Sequence, residues 1–275
     1  MTPLVFTLDL EDHRPDDSAP ARYQDVAGRL LNRLDEWNVT GTVFVVGDLI
    51  DEAAELIADI TERGHELGLH GASHTALPDI GPEQFEADTA SARDRLVAAS
   101  GREVTGFRAP IFSLVPESAW APDILAGLGF RYSSSVLPAR NPLYGWPGAP
   151  REPFRWESGL VELPCPVFGP GPLAAPLLGG TYLRLAPRPL IGWAHRREAR
   201  RPGGWLYAHP YDFDPDEPRW TVPEVGRLGS RLLWWNRKTM DGRVRRLVEG
   251  SDQTLAAMVE QLDDLPTFHD SGVRS

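Results

Sequence analysis

The sequence has little of what several classes of protein need. One cysteine, Cys165, among 275 residues excludes an internal disulfide. Basic residues number 28 against 39 acidic ones, and the net charge of −11 excludes a general electrostatic affinity for nucleic acid. No apolar run reaches the roughly 18 residues of a membrane span, and the N-terminus lacks the basic and apolar segments of a signal peptide. We therefore expect a cytoplasmic protein without a membrane span.

The first half of the chain contains a regular alternation of two patterns. Short apolar runs rich in β-branched residues predict buried strands, and longer segments with apolar residues at helical spacing predict amphipathic helices. This order predicts an α/β fold with a parallel sheet or barrel, whose active groups lie at the carboxyl ends of the strands. The predicted strands cover residues 4–10, 42–46, 66–70, 104–108 and 130–136, and the predicted helices cover residues 23–37, 49–60, 82–99 and 120–128.

The second half of the chain changes in character, with long segments rich in proline and glycine. A turn at Ser158-Gly159 predicts a hairpin over residues 156–164, and residues 204–208 predict a last strand. Further helices are predicted over residues 187–200, 240–249 and 253–262. We expect a single domain of residues 1–275, with a barrel core of about residues 1–215 and a C-terminal helical extension of about residues 216–275.

Two histidines, His70 and His74, have the spacing at which both imidazoles can face one divalent metal ion. Spacing alone is a weak signal, because such a site needs a third ligand. The end of the first predicted strand supplies acids at Asp9, Glu11 and Asp12. Asp9 and Glu11 face the same side of an extended strand, so one carboxylate could bind the metal while its neighbour serves as base. Two histidines and one carboxylate suit Zn²⁺ and equally Fe²⁺, Co²⁺ or Mn²⁺.

Two other polar residues follow predicted strands. The guanidinium of Arg108 could hold a carboxylate through two parallel hydrogen bonds, and the alternative is a surface arginine before a turn. His209 lies between an apolar run and a proline. It is either a structural histidine or, beside a metal site, a general acid.

Five ordered motifs give the chain a family resemblance. They are Thr-Leu-Asp-Leu-Glu-Asp at 7–12, Gly-His-Glu-Leu-Gly-Leu-His-Gly-Ala-Ser-His at 64–74, Gly-Phe-Arg-Ala-Pro-Ile-Phe-Ser at 106–113, Tyr-Ser-Ser-Ser-Val-Leu-Pro at 132–138 and Leu-Tyr-Ala-His-Pro-Tyr-Asp-Phe-Asp-Pro at 206–215. The chain resembles the polysaccharide deacetylases of the NodB-homology type (carbohydrate esterase family four). It is most similar to the branch with an Asp-x-Glu-Asp first motif, which is associated with exopolysaccharide biosynthesis. The resemblance implies a distorted (β/α)₇ barrel.

The resemblance also implies the roles of the site residues. Asp9 would be the general base, oriented by Arg108, and His209 the general acid that protonates the leaving amine. A divalent metal, with Zn²⁺ first and Co²⁺, Fe²⁺ or Mn²⁺ as alternatives, would polarise the acetamide carbonyl and activate a water molecule. A backbone N–H would help to stabilise the oxyanion. The implied metal ligands are Glu11, His70 and His74, with Asp12 as an alternative to Glu11 because the commonest family pattern has adjacent aspartates.

One position departs from the family pattern. Ser133 stands where the fourth motif usually has an aspartate that tunes the acid histidine. We expect His209 to lose a carboxylate partner there, which would lower its pKa, unless Asp212 or Asp214 compensates. The hypothesis is that Ser133→Asp raises activity or shifts the pH optimum.

The sequence thus predicts a metal-dependent hydrolase. Its expected reaction removes an N-acetyl group from an amino sugar in a glycan, glycolipid or oligosaccharide precursor. One alternative is a C–N hydrolase acting on a small non-sugar amide, and another is a non-catalytic sugar-binding relative with a weakened site. The oligomeric state is left open.

Overall fold

Nine strands form one sheet in the computed structural model, which describes residues 2–16, 18–201, 203–222 and 225–269. The strands are Val5–Leu10 (β1), Gly41–Val45 (β2), Glu66–Leu69 (β3), Gly106–Phe107 (β4), Tyr132–Ser133 (β5), Phe154–Trp156 (β6), Val161–Glu162 (β7), Trp205–Ala208 (β8) and Thr267–Phe268 (β9). The α-helices within these ranges are Tyr23–Glu36 (α1), Ala54–Glu62 (α2), Pro82–Ser100 (α3), Ala121–Gly127 (α4), Gly180–Leu185 (α5), Arg188–Glu198 (α6), Gly226–Trp234 (α7), Met240–Val248 (α8) and Leu255–Val259 (α9).

The order of the sheet is β8-β1-β2-β3-β4-β5-β7-β6-β9. Seven strands, β8, β1 to β5 and β7, run parallel, and the helices that connect the early strands cover them as in a βαβ fold. The expected distorted (β/α)₇ barrel is therefore confirmed. The predicted hairpin is also present, because β6 pairs with β7 in the antiparallel sense. Helices α5 and α7 were not predicted from the sequence.

The side chains of β1 point alternately into two apolar clusters. Phe6, Leu8 and Leu10 belong to the large cluster that packs beneath the helices. Val5 belongs to a second cluster on the inner side of the barrel, together with residues such as Phe44. Because side chains of a strand alternate between faces, Thr7 and Asp9 share the inner side with Val5. The strand therefore delivers a carboxylate to the inner side of the barrel at its carboxyl end.

Helices α8 and α9 of the C-terminal extension pack on the end of the barrel where the strands begin. The backbone N–H of Leu4 donates to the carbonyl of Leu247 on α8 at 2.8 Å. On α9, the N–H of Leu255 donates to Thr42 Oγ1 at 2.9 Å, and the N–H of Ala256 donates to Glu66 at 3.0 Å. Leu255 also joins the inner apolar cluster. A single domain over the whole chain stays a prediction, which this packing supports.

Within the described ranges, no helix is both long and apolar enough to cross a bilayer.

A buried carboxylate, Glu162 at the end of β7, orders the chain that follows β5. Its Oε1 accepts hydrogen bonds from the backbone N–H groups of Ser135 at 2.6 Å and Val136 at 2.8 Å. We expect Glu162→Ala to lower the free energy of unfolding by about 3 kcal/mol, because two buried N–H groups lose their acceptor. Urea denaturation followed by circular dichroism measures the loss.

Glu103 provides the matched control for that substitution. Its side chain is 79% exposed and pairs with Arg131 at 3.4 Å. Glu103→Ala should change the free energy of unfolding by less than about 1 kcal/mol, as is usual for an exposed ion pair. Equal losses in the two variants would show that the Glu162 hydrogen bonds carry no special stability.

Glu198 on α6 should make stability depend on pH. Burial raises the pKa of this carboxyl to about 7, although Arg201 lowers it. Because the folded protein holds this proton more tightly than the unfolded chain, the stabilising contribution is complete below pH 4.5 and is lost as the pH rises through 7. Glu198→Gln should therefore gain up to about 3 kcal/mol relative to the wild type between pH 5 and pH 8.

Thermal and urea unfolding at several pH values test this expectation. The exposed Glu117 on the helical turn Pro116–Ser118 supplies the control, and Glu117→Gln should follow the pH curve of the wild type. A curve for Glu198→Gln that runs parallel to the wild type would contradict the prediction.

Candidate active site

The residues singled out by the sequence lie at the carboxyl ends of neighbouring strands. Asp9 is the penultimate residue of β1. His70 directly follows β3, Arg108 directly follows β4 and His209 directly follows β8. The parallel register pairs Leu8 with Ala208, and Leu69 with Phe107, so these residues stand at matching levels. They converge because parallel strands end at the same edge of a sheet.

A cavity of about 210 Å³ opens at this edge. Its charged and imidazole groups are Asp9, Glu11, His70, His74 and His209, and mainly apolar and aromatic side chains, with Asn141 and Thr181, form the rest of the lining. Arg108 lies behind these groups and is fully buried. The combination of convergent polar groups and a mainly apolar lining is typical of a small-molecule site.

Three of these side chains form a cluster suited to a metal ion. One ligand atom from each of Glu11, His70 and His74 lies within 4.8 Å of the other two. The Nε2 atom of His74 is 2.6 Å from Glu11 Oε2, and the two imidazole rings have centroids 5.5 Å apart. His70 Nδ1 is 2.9 Å from the carbonyl oxygen of Arg108, and this hydrogen bond leaves Nε2 as the atom that faces the cluster.

The charges of Glu11 and His70 are consistent with metal ligation, whereas burial lowers the pKa of His74 but Glu11 outweighs burial and leaves that pKa raised. Burial raises the pKa of Glu11, but His74 and His209 outweigh it and leave the pKa lowered. Burial lowers the pKa of His70. The deprotonated carboxylate and the neutral imidazole are the forms in which these side chains bind a metal. The donor set therefore fits a divalent ion such as Zn²⁺.

Asp12, the alternative to Glu11, lies outside the cluster. Its Oδ2 atom forms an ion pair with Arg14 Nε at 2.6 Å, and its Oδ1 atom accepts a hydrogen bond from the backbone N–H of Arg14. Asp12 lines a different cavity on the outer side of the β1 terminus, together with Tyr23 and Trp220. The geometry thus favours Glu11 as the carboxylate beside the histidines.

Asp9 and Arg108 form a buried ion pair beside the cluster. Arg108 Nη1 donates to Asp9 Oδ1 at 2.6 Å and to Thr7 Oγ1 at 2.8 Å. Its Nη2 atom donates to Ser134 Oγ at 3.0 Å, and its guanidinium lies 4.1 Å from the ring centroid of Phe44. Four contacts thus fix the guanidinium, and it can hold the Asp9 carboxyl group in one orientation.

His209 faces the same centre from the opposite side. Its Nε2 atom is 3.9 Å from Asp9 Oδ2 and 3.9 Å from Glu11 Oε1. Its Nδ1 atom is 2.9 Å from Asp212 Oδ2, and Tyr211 stacks on the imidazole with ring centroids 4.6 Å apart. Burial lowers the pKa of His209, but Glu11, Asp212 and Asp9 outweigh burial and raise the pKa to about 9.

Asp212 is itself held by a buried arginine. Its Oδ1 atom forms an ion pair with Arg184 Nε on α5 at 2.8 Å, and both side chains are fully buried. Asp212 Oδ2 also accepts a hydrogen bond from the backbone N–H of His209 at 2.9 Å. Although burial raises the pKa of Asp212, Arg184 and His209 lower it to about 2. Asp212 therefore remains a carboxylate that orients and charges His209.

The sequence left open whether Asp212 or Asp214 supplies His209 with the carboxylate that Ser133 does not provide. Asp212, three residues after His209, fills that role, whereas Asp214 pairs with Arg22 at 2.6 Å. Ser133 is fully buried, and its hydroxyl donates to Ser135 Oγ at 2.7 Å. Ser133 also belongs to the hydrogen-bond network of Glu162. The effect of Ser133→Asp on activity stays a prediction.

Sequence reasoning missed several contributors to the site. Arg184 carried no signal, because 28 positions separate it from Asp212 and it lies in a segment for which the sequence predicted no element. Ile111 lines the cavity with a left-handed backbone, φ 58°, a conformation that is strained for a β-branched residue. Its place in the third motif was visible, but its conformation was not.

Two family models match the chain in succession. Residues 16–132 match a model described as Polysaccharide deacetylase, and residues 134–262 match one described as Domain of unknown function (DUF3473). The first match ends within β5, so the two models divide one continuous sheet.

Two known proteins are similar to the chain. The peptidoglycan deacetylase of Helicobacter pylori is 27% identical over 125 residues, which are 45% of this chain and 42% of that protein. The match thus spans less than half the length of this curated relative. A Mycobacterium smegmatis protein assigned to the polysaccharide deacetylases has a crystal structure that aligns with a TM-score of 0.58 at 20% identity, over 95% of this chain and 91% of that one. This likeness shows a shared fold.

The matching model over residues 16–132 and the curated relative agree with the motifs and with the barrel. The N-terminal part of the chain, residues 16–132, is thus similar to the polysaccharide deacetylase family.

Proposed function

We propose that this protein is a metal-dependent hydrolase that removes an N-acetyl group from an amino sugar in a glycan, glycolipid or oligosaccharide precursor. The observation that carries the proposal is the assembly in one cavity of the Glu11–His70–His74 cluster, the buried Asp9–Arg108 pair and the Asp212-bound His209. These are the groups that hydrolysis of an amide requires.

Glu11, His70 and His74 would hold the metal ion. A bound divalent ion would polarise the acetamide carbonyl and lower the pKa of a water molecule. Zn²⁺ is the first candidate for this donor set, and Co²⁺, Fe²⁺ and Mn²⁺ are alternatives. The hydrogen bond from His70 Nδ1 to the Arg108 carbonyl fixes the imidazole in the tautomer that a ligand needs.

Asp9 acts as general base in this proposal. Arg108 occupies its Oδ1 atom, so the Oδ2 atom, which faces His209, is the one that accepts a proton from water. His209 acts as general acid, and its Nε2 atom faces the same space as Asp9 Oδ2. Protonated His209 gives its proton to the leaving amine, and the Asp212 carboxylate stabilises the imidazolium.

The rest of the cavity suits a sugar ring and an acetyl group. Tyr182, Tyr207 and Tyr211 line it and offer ring faces beside the charged and imidazole groups. Ile111 lines the cavity within a strained turn, and its N–H is our candidate for the oxyanion donor. The cytoplasmic location expected from the sequence stays a prediction.

Acetate release from N-acetylated sugar oligomers by the metal-loaded protein tests the proposed activity. We expect release from at least one amino-sugar substrate, and none after treatment with a chelator. If no N-acetylated sugar yields acetate while a small non-sugar amide is hydrolysed, the alternative of a C–N hydrolase on small amides replaces the proposal.

Metal binding distinguishes the two acids after β1. Glu11→Gln should weaken Zn²⁺ binding by more than about 100-fold, because losing a ligand exceeds the 10–100-fold effect of outer partners. Asp12→Asn serves as the control and should change the affinity by less than about threefold, since Asp12 lies outside the cluster. Calorimetric titration of chelator-treated protein measures both. Loss of binding in Asp12→Asn alone would reverse the assignment.

Asp212 should affect turnover more than substrate binding. We expect Asp212→Asn to lower kcat by roughly 100-fold with KM nearly unchanged, because a general acid contributes 10²–10⁴-fold and its orientation depends on this carboxylate. The control is Asp214→Asn, two residues after Asp212, which removes the carboxylate that pairs with Arg22. It should lower kcat by less than about fivefold. Steady-state kinetics decide. Equal effects of both variants would mean that Asp212 acts only through stability.

A further inference from the structure

The outer face of α7 combines exposed apolar and basic side chains. Val225, Leu228, Leu232 and Trp235 recur at helical spacing, and Leu228 and Trp235 are 73% and 63% exposed. Arg227 and Arg231, also exposed, flank this stripe. We call these six residues the α7 face. Within the described ranges, no carboxylate pairs with either arginine, and the face presents two exposed arginines beside exposed apolar side chains.

The opposite side of α7 anchors the helix to the protein. Ser230 and Trp234 are buried, and Trp234 Nε1 donates to the carbonyl of Glu217 at 3.2 Å. Arg184 Nη1 donates to the carbonyls of Leu233 at 2.7 Å and Trp235 at 2.9 Å. The helix is thus held in one rotational setting. The apolar residues of the α7 face are exposed because the buried side of the helix is already occupied.

The charge of the surrounding segment is opposite to that of the whole chain. Residues 171–246 contain fourteen Arg and Lys residues against seven Asp and Glu residues, whereas the rest of the chain contains fourteen against thirty-two. Three of those seven acids, Glu198, Asp212 and Asp214, are buried, and Asp241 pairs with Arg33. The outer surface of this segment is therefore basic in a protein of charge −11.

We infer that the α7 face docks the protein on the surface of an anionic lipid bilayer. Basic residues flanking exposed Leu and Trp side chains on a short helix suit the headgroup region, where hydrocarbon enters the interface and arginines meet lipid phosphates. An acidic polymer would use the arginines but would leave the hydrocarbon in water. A second copy of the chain would bring two basic faces together and suffer repulsion.

The position of α7 relative to the cavity adds a consequence. Arg184 of α5 contacts the end of α7, and Tyr182 of the same helix lines the mouth of the cavity. Ile111 and Leu143, which also line the mouth, are among the exposed large apolar residues. Docking through α7 would bring the mouth near the membrane, where an amino sugar carried on a lipid would be presented. This consequence rests on the proposed function, but the docking itself does not.

Vesicle sedimentation with the full chain tests the inference. The probes are vesicles of phosphatidylcholine alone and vesicles with about one third phosphatidylglycerol. We expect at least about tenfold stronger partitioning to the anionic vesicles, reduced by added salt. Equal partitioning to both vesicle types, or none to either, would overturn the inference.

Two variants and a control assign any binding to the α7 face. R227Q/R231Q should weaken partitioning by roughly 10- to 30-fold, as expected for two arginines near an anionic surface. L228S/L232S should weaken it by about tenfold or more, since apolar insertion is lost. The control R29Q/R102Q removes the same charge from exposed positions outside residues 171–246 and should bind like the wild type. Unchanged binding in both test variants would overturn the inference.

Two further measurements keep the outcomes separate. Acetate release from a soluble substrate should stay unchanged in both test variants, because none of the four residues lines the cavity. Vesicle binding without acetate release would keep the inference and contradict the proposed function. A concentration-dependent dimer that L228S/L232S abolishes, without vesicle binding, would assign the α7 face to a second copy of the chain instead.

Discussion

The buried ion pair between Asp9 and Arg108 is the contact around which the candidate site is arranged. Two opposite charges out of water stabilise a fold only when their remaining hydrogen-bonding capacity is satisfied. Thr7 and Ser134 meet that demand, and the ring of Phe44 covers the guanidinium. The carbonyl of Arg108 then orients His70. One residue thus fixes both the proposed base and one proposed metal ligand.

The second half of the chain contributes a second buried ion pair to the site, between Arg184 and Asp212. Asp212 is held between Arg184 and His209, so the proposed acid has its own carboxylate from a loop that the N-terminal family match does not include. Glu162 orders the chain after β5, whose Ser134 contacts Arg108. The segment described only as a domain of unknown function therefore completes the barrel and equips the site.

The distribution of charge separates two surfaces with different tasks. The cavity gathers carboxylates and imidazoles that compensate one another at close range, as the lowered pKa of Glu11 and the raised pKa of His209 reflect. The segment around α7 instead buries three of its seven acids and exposes arginines such as Arg227 and Arg231. A net charge of −11 describes neither surface. Catalysis and docking can therefore depend on local fields that the composition conceals.

The sequence by itself determined the alternation of strands and helices, because this depends on local periodicity. It also determined that Asp9, His70, Arg108 and His209 meet at one edge of the sheet, because parallel strands end at the same edge. Only the tertiary structure distinguished Glu11 from Asp12, because these neighbours follow β1 in an irregular loop whose side-chain directions the sequence does not reveal. Glu11 lies beside His70 and His74, and Asp12 pairs with Arg14. The tertiary structure also supplied Arg184 and the outward setting of α7, since both follow from packing between segments far apart in the chain.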